Sequence, residues 1–339
     1  MKVSTVCFTA QEKAVLLTKE FDSFLQGDEV LVKTDYSLIS AGTELANYYD
    51  LPNTSIYGDR KGQFPRTPGY SAAGHVAAVG ADVTDFKVGD NVIVPWSGHC
   101  SWFKKKQDRI FPVLHGVSQQ EAAAAHIASF PFLGVRKLQI QLGESVMVAG
   151  LGLLGLLSVQ LAKLSGGYPV LACDFSEDRR KIALETGADY VFDPREDDFI
   201  DKVRELSGGG PNAVVEVTGH LAGLQQALEY TAPMGRISIL GCTRISDAPI
   251  NVYKYIHGKG IEIYGAHTFT RPKFESRPGY WTEKDDYAVF MKLVKAGALK
   301  IEPLVNKIVS PENTPEVYKE LGTSKQPPLG ILFDWTGFE

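Results

Sequence analysis

A doubly wound parallel α/β sheet, inserted into a split domain of short antiparallel strands, is the architecture this sequence predicts. Three observations carry it. The apolar run Ser145–Ala149 leads into Gly150, Gly152 and Gly155, a G-x-G-x-x-G spacing, and on into an apolar helical stretch. From Val146 to Tyr264, strand-like and helix-like segments then alternate. Ahead of them, residues 2–115 carry short β-branched and aromatic runs broken by turn residues, and one more such run, Gly330–Asp334, closes the chain.

Lys2–Phe8, Lys13–Thr18, Glu29–Tyr36, Gly74–Val79 and Asn91–Val94 read as strands, with turns at Gly27-Asp28, at Gly80 and over Phe86–Asp90. No long helix fits this region, so a small β-barrel or sandwich is expected. The basic triplet Lys104–Lys106 reads as a solvated strand edge or loop. Gln119–Leu138 is alanine-rich and should be helical, with Pro131 kinking or dividing it. Strands are expected at Val146–Ala149, Val170–Cys173, Tyr190–Phe192, Ala213–Val217, Arg236–Leu240 and Ile261–Tyr264. Helices fill the gaps at Gly155–Leu164, Glu177–Glu185, Phe199–Leu206 and Leu221–Tyr230, Gly187 standing where a helix C-terminal glycine belongs. Ile250–Gly258 reads as a short helical turn. Thr268–Trp281 reads as a loop, followed by helices at Lys284–Ala296 and Pro311–Leu321. The expected division sets residues 1–130 with 269–339, and makes 131–268 the inserted domain.

The 339 residues suffice for two cores. With 35 basic and 40 acidic residues the net charge is −5, which suggests neither nucleic acid nor an anionic membrane as a partner. The four cysteines form no C-x-x-C, arguing against a zinc knuckle or a disulfide framework. No signal peptide or membrane span is evident, so the expected location is the cytoplasm and the expected partner a small molecule.

The glycine motif predicts a dinucleotide. Gly150 permits the turn, Gly152 lets a pyrophosphate approach the backbone, and Gly155 lets the helix lie close to the strand. Leu153 and Leu154 lie within this glycine turn as further cofactor-binding candidates, and the helix that follows offers free N–H groups and a dipole that favour phosphate. Asp174, followed by Phe175, ends the second strand roughly 20 residues on, where a carboxylate accepts from ribose hydroxyls. That favours NAD(H) over NADP(H), although Arg179 and Arg180 close by would suit a phosphate. Later strands would present Thr218 and Gly219, Gly241 and Cys242, and Ala266 and His267 at their carboxyl ends, where such sheets bind ligands.

The order of domains and several landmarks resemble the medium-chain dehydrogenase/reductase superfamily, and within it the polyol and threonine dehydrogenase-like branch. Ser37–Leu45 (SLISAGTEL) resembles its first catalytic segment, Pro68–Gly74 (PGYSAAG) its G-H-E-x-x-G segment, Val88–Val92 its V-G-D-R-V turn, and Glu216–Gly219 the end of its fourth nucleotide-domain strand. The phrase SLISAGTE is itself similar to a subgroup that includes bacteriochlorophyllide dehydrogenase-like proteins. The resemblance implies a Rossmann domain inserted in a split GroES-like barrel, and a homodimer or homotetramer.

Against the family's zinc enzymes the sequence departs. Ala41 (or Ser40) stands at the cysteine position, Tyr70 at the histidine and Ser71 at the glutamate, with the third ligand position falling near His126 or Ile127. One possible histidine cannot hold a zinc that needs three protein ligands. The four-cysteine structural lobe is absent too, Cys100 being the one cysteine there, so a metal-free protein is expected. Proton handling would pass to side chains. Thr43 matches the family's hydroxyl that relays the substrate proton, or is a turn-capping residue. His126 is a base or a buried core histidine. Tyr70 is a donor or a space-filler, and Glu44 a former outer-shell residue with a new partner. Ser40, Trp96, His99 and Trp281, with Arg271, are expected to wall the substrate. The function implied is an NAD-dependent, zinc-independent oxidoreductase moving a hydride between nicotinamide and a secondary alcohol or ketone, such as a sugar, cyclitol or ring compound. A metal-free quinone or enone reductase, or a non-catalytic NAD(H)-binding protein, stays open as an alternative.

Overall fold

A computed structural model describes residues 1–55, 58, 60–246 and 248–338. It divides into two units, one of residues 1–127, 287–297 and 301–339, the other of residues 128–286 and 298–300.

The chain begins with the hairpin β1 (Lys2–Ala10) and β2 (Lys13–Glu20), then β3 (Glu29–Leu38). Helix α1 (Ala41–Tyr48) follows, in a region where no helix was expected, and its eight residues are too few for a clear periodic signal. Next come β4 (Ser71–Val79), β5 (Asn91–Pro95), β6 (Trp102–Lys106) and β7 (Phe111–Pro112). The basic triplet lies in β6, paired with β3. Two helices follow, α2 (Gln119–Ala122) and α3 (Ala125–Lys137).

The break between these helices is not at Pro131, which lies inside α3. It falls at Ala123 and Ala124. Ser71 of β4 causes it: its hydroxyl donates to the Ala123 carbonyl at 2.6 Å and accepts from the Ile127 N–H at 3.3 Å. A helix would join those two groups directly, and an inserted side chain opens the ladder.

Strands β8 (Val146–Ala149), β9 (Val170–Cys173), β10 (Tyr190–Phe192), β11 (Ala213–Glu216), β12 (Arg236–Ile239) and β13 (Glu262–Gly265) alternate with α4 (Leu153–Leu164), α5 (Glu177–Thr186), α6 (Phe199–Leu206) and α7 (Leu221–Tyr230). Ser176 caps α5, and Gly187 at φ +138° ends it as expected. Tyr253–Gly258 forms a π-helical turn. The tail holds α8 (Glu283–Lys295), β14 (Lys307–Val309), α9 (Thr314–Thr323) and β15 (Ile331–Asp334).

In the second unit the sheet order is β10-β9-β8-β11-β12-β13, parallel throughout. All four residues of β8, β9 and β11 are buried, as in a sheet covered on both faces. The order reverses beside β8, so the switch point where such sheets bind ligands lies at the carboxyl ends of β8 and β11. In the first unit the sheet runs β14-β15-β3-β4-β5-β7, with β6 also on β3. Its β15 joins the tail to β3, as the split-domain reading requires.

Residues 269–286, expected with the first domain, belong to the second unit. Charge and ring contacts hold them there. Arg271 donates to the Ser129 carbonyl at 2.9 Å and, with Arg136, pairs with buried Asp286. Lys137 donates to Thr270 at 2.6 Å. The loop composition of Thr268–Trp281 gave no sign of these partners. No helix of the described residues is long and apolar enough to cross a membrane.

Candidate active site

The second unit holds a phosphate cradle. Gly150 takes φ +95°, closed to most side chains, and a Cβ there would lie 3.2 Å from Thr218 Cα. Gly152 is the N-cap of α4, with no side-chain cap, and a Cβ there would meet nothing within 4 Å. The first turn of α4, opened by Leu153 and Leu154, therefore presents its N–H groups over open space. At Gly155 a Cβ would fall 1.9 Å from the Gly150 carbonyl oxygen, so only glycine lets the helix rest on the turn.

Asp174 stands beside this turn, accepting from Leu151 N–H and Ser176 N–H, both at 2.8 Å. Those bonds fix its carboxylate at the end of β9. Arg179 approaches it at 4.0 Å. Arg180 is committed to the backbone, donating to the Asp174 carbonyl at 2.6 Å. Phe175 is 63% exposed, with the Arg195 guanidinium 5.2 Å from its ring.

Thr218 and Gly219 follow β11, and Gly241 and Cys242 follow β12. A Cβ on Gly241 would sit 2.6 Å from Gly219 N, so the two strand ends touch backbone to backbone. Beneath them Glu216 is fully buried, accepts from Thr218 N–H at 2.9 Å and from its hydroxyl, and is raised in pKa by burial. Cys242 is an exposed free thiol. Ala266 is buried at the end of β13; His267 caps the next short turn through Phe269 N–H, and burial lowers its pKa. Trp281 lies in this unit, with the Arg136 guanidinium 3.7 Å from its ring.

The first unit gathers the other candidates. Tyr70 donates its hydroxyl to Ser40 Oγ. The His126 ring packs edge-on against Trp96 at 4.5 Å and Tyr70 at 5.7 Å, and its Nδ1 shares a 2.6 Å hydrogen bond with the Tyr287 hydroxyl. Trp96, 44% exposed and at φ +52°, covers this group. Thr43 sits in the first turn of α1, half-buried, so it is a helix residue rather than a turn cap.

His99 is closed off from these candidates, while Glu44 lines one cavity with Thr43 and Tyr70. Both are buried, in a network that ties α1 to the tail. Glu44 Oε1 accepts from Ser40 N–H at 2.7 Å, and its Oε2 accepts from Tyr318 at 2.5 Å and His99 Nε2 at 3.0 Å. Trp335 Nε1 donates to Ser37 Oγ at 2.8 Å, and the same hydroxyl shares a 2.7 Å hydrogen bond with His99 Nδ1. His99, at 0% exposure, is no pocket wall, and Glu44 is spent on structure. Tyr287, Tyr318, Ser37 and Trp335 were missed because no local pattern links residues up to 298 positions apart.

Comparison with known proteins places the chain in a family. A family model described as "alcohol dehydrogenase GroES-like domain" matches residues 21–135, and one described as "zinc-binding dehydrogenase" matches 154–278. A D-guloside 3-dehydrogenase of Escherichia coli (strain K12) is 27% identical, covering 92% of this chain and 94% of its own. An L-threonine 3-dehydrogenase of Pyrococcus furiosus is 30% identical, covering 71% of this chain and 74% of its own. The chain belongs to the medium-chain dehydrogenase/reductase superfamily, in its polyol dehydrogenase-like branch. The fold is shared with a 2R,3R-butanediol dehydrogenase from Bacillus subtilis, at TM-score 0.81 and 22% identity over 98% of this chain and 99% of that one. This member of the superfamily is an alcohol/polyol dehydrogenase-like oxidoreductase.

One of those family descriptions implies zinc, and the donor set does not suit it. Among the described residues no three His, Cys, Asp or Glu side chains come together. The His126 ring packs against Tyr70, whose hydroxyl bonds Ser40; the Glu44 carboxylate is filled by three donors; Cys100 is buried, with its thiol raised in pKa by burial. A catalytic zinc takes three protein ligands.

Proposed function

We propose that this oxidoreductase is NAD-dependent and zinc-independent, and that it oxidises or forms a secondary alcohol on a sugar, cyclitol or similar ring compound. The observation that carries the reading is the Tyr70–Ser40 hydroxyl pair, with the Tyr70 ring packed against His126. It occupies the positions at which the resemblance places metal ligands, and it offers a hydrogen-bond donor and a proton acceptor instead.

The cradle fits a dinucleotide. Gly152 leaves room for its phosphates, the first turn of α4 supplies N–H donors, and Asp174 would accept from ribose hydroxyls. A 2′-phosphate would meet the Asp174 charge, which supports NAD(H) and weighs against an NADPH-using enone reductase. When bound, the nicotinamide accepts or returns the hydride. The chain's own residues do the rest. Tyr70, backed by Ser40, would hold the carbinol oxygen and release or take its proton; His126, tied to Tyr287, would pass that proton onward; Thr43 offers a second hydroxyl route.

NADH formation with a panel of polyols, with and without excess chelator, tests this, together with metal analysis of the purified protein. The expected result is turnover that survives chelation. Activity that falls with zinc removal and returns with zinc refutes the zinc-independent half, and turnover with NADP alone refutes the other.

A further inference from the structure

We propose that a cavity beside Thr43 and Tyr70 in the first unit seats an oxyanion carried by the substrate, a carboxylate or a phosphate monoester, with Arg60 as its anchor. The inference rests on the dehydrogenase reading above and narrows its substrates to secondary alcohols bearing such a group.

The cavity holds about 100 Å3, and its wall includes Thr43, Asn47, Arg60, Arg66, Thr67 and Tyr70. A space of that size admits a small charged substituent. The charges around it are unequal in their commitments. Arg66 is 3% exposed and spent on the fold: it donates to the Gln63 carbonyl at 2.8 Å, the Asn47 carbonyl at 3.1 Å, and Asp50 Oδ1 and the Arg60 carbonyl at 2.5 Å each. Asp50 balances its charge. Glu44 also lines the cavity, but its oxygens face Ser40, Tyr318 and His99.

Arg60 differs from both. Its carbonyl is pinned by Arg66 and by Gln63 N–H at 3.0 Å, which fixes the backbone that presents it. The residue is exposed, lines the cavity, and has no ion pair among the described residues. A guanidinium with hydroxyls nearby, here Thr43 and Thr67, is the arrangement that grips planar or tetrahedral oxyanions through paired N–H donors. Tyr70 shares the same wall, so one pocket offers both the anionic grip and the hydroxyl assigned to the proton.

The test compares kcat/KM of the full chain, with NAD, for D-glucitol, D-glucitol 6-phosphate and D-gluconate. The expected result is a preference for one acidic substrate over the neutral polyol of roughly 10- to 100-fold. Which acid wins separates phosphate from carboxylate. Arg60→Ala should abolish most of that preference, mainly through KM, and Arg60→Lys should retain part of it. Equal use of all three substrates, or an Arg60→Ala effect equal on all three, overturns the proposal. A thermal melt with excess inorganic phosphate or acetate reads the site without turnover: a rise in midpoint in the wild type that Arg60→Ala loses supports it, and no difference overturns it. A dehydrogenase reading that fails would show instead as no turnover on any polyol or ketone while that rise persists.

Discussion

Replacing Gly152 by alanine separates the needs of the fold from those of a ligand. The residue sits at φ −70° and ψ −174°, extended backbone that alanine adopts without strain, and the added methyl would meet no protein atom within 4 Å. Alanine is a poorer N-cap than glycine by about 0.5–1 kcal/mol. Its smaller conformational freedom in the unfolded chain returns about 0.4–1 kcal/mol. The two nearly cancel, so the melting midpoint of the ligand-free protein should move by no more than about 3 °C. A dinucleotide phosphate approaching that backbone, by contrast, would collide with the methyl. Overpacking of about 1–3 kcal/mol corresponds to a rise in Kd of roughly 5- to 150-fold. Fluorescence titration with NADH reads the affinity, and a thermal melt reads the fold. Gly155→Ala is the internal comparison, because its Cβ would lie 1.9 Å from the Gly150 oxygen and must displace the helix; that variant should lose both stability and affinity. If Gly152→Ala binds NADH within about twofold of wild type, no phosphate lies against this turn and the cradle has been misread.

Three further outcomes are expected. Tyr70→Phe removes the hydroxyl that Ser40 supports and should lower kcat by roughly 100-fold or more, while the NADH Kd, measured by the same titration, stays within twofold. Iodoacetamide at neutral pH should label Cys242, the exposed thiol, and spare Cys173, whose thiol burial pushes up to about 12; bound NADH should slow the labelling of Cys242, as mass spectrometry of the tryptic peptides would show. Burial raises the Glu216 carboxyl, so the folded state holds a proton that the unfolded state releases at lower pH, and the group's contribution to stability falls as pH rises through that window. Glu216→Gln keeps an acceptor for Thr218 and should therefore gain urea stability relative to wild type between pH 5 and pH 8; an unchanged difference would show that Glu216 does not titrate there.

The nucleotide-binding unit was legible because each of its signals is local. A strand of four apolar residues, a glycine spacing, a cap at Ser176 and a terminator at Gly187 all act within a few residues of where they are written. The first unit was less legible because its decisive contacts are distant. Glu44 and His99 carry chemistry that suits an active site, and nothing near them reveals that Tyr318 and the Ser37–Trp335 pair hold them in the core. Pro131 shows the opposite error. A proline announces a break through its own missing N–H, yet α3 runs through it, while the true break is made by a serine whose partners lie 52 and 56 residues away. That serine also bears on the site. Ile127, whose N–H it takes, directly follows His126, so the hydroxyl that opens the helix fixes the backbone from which the imidazole reaches Tyr287 and the faces of Trp96 and Tyr70. The position at which the resemblance places a glutamate thus acts here by shaping a helix, and the histidine whose backbone it holds stands beside the Tyr287 hydroxyl and the Tyr70 ring.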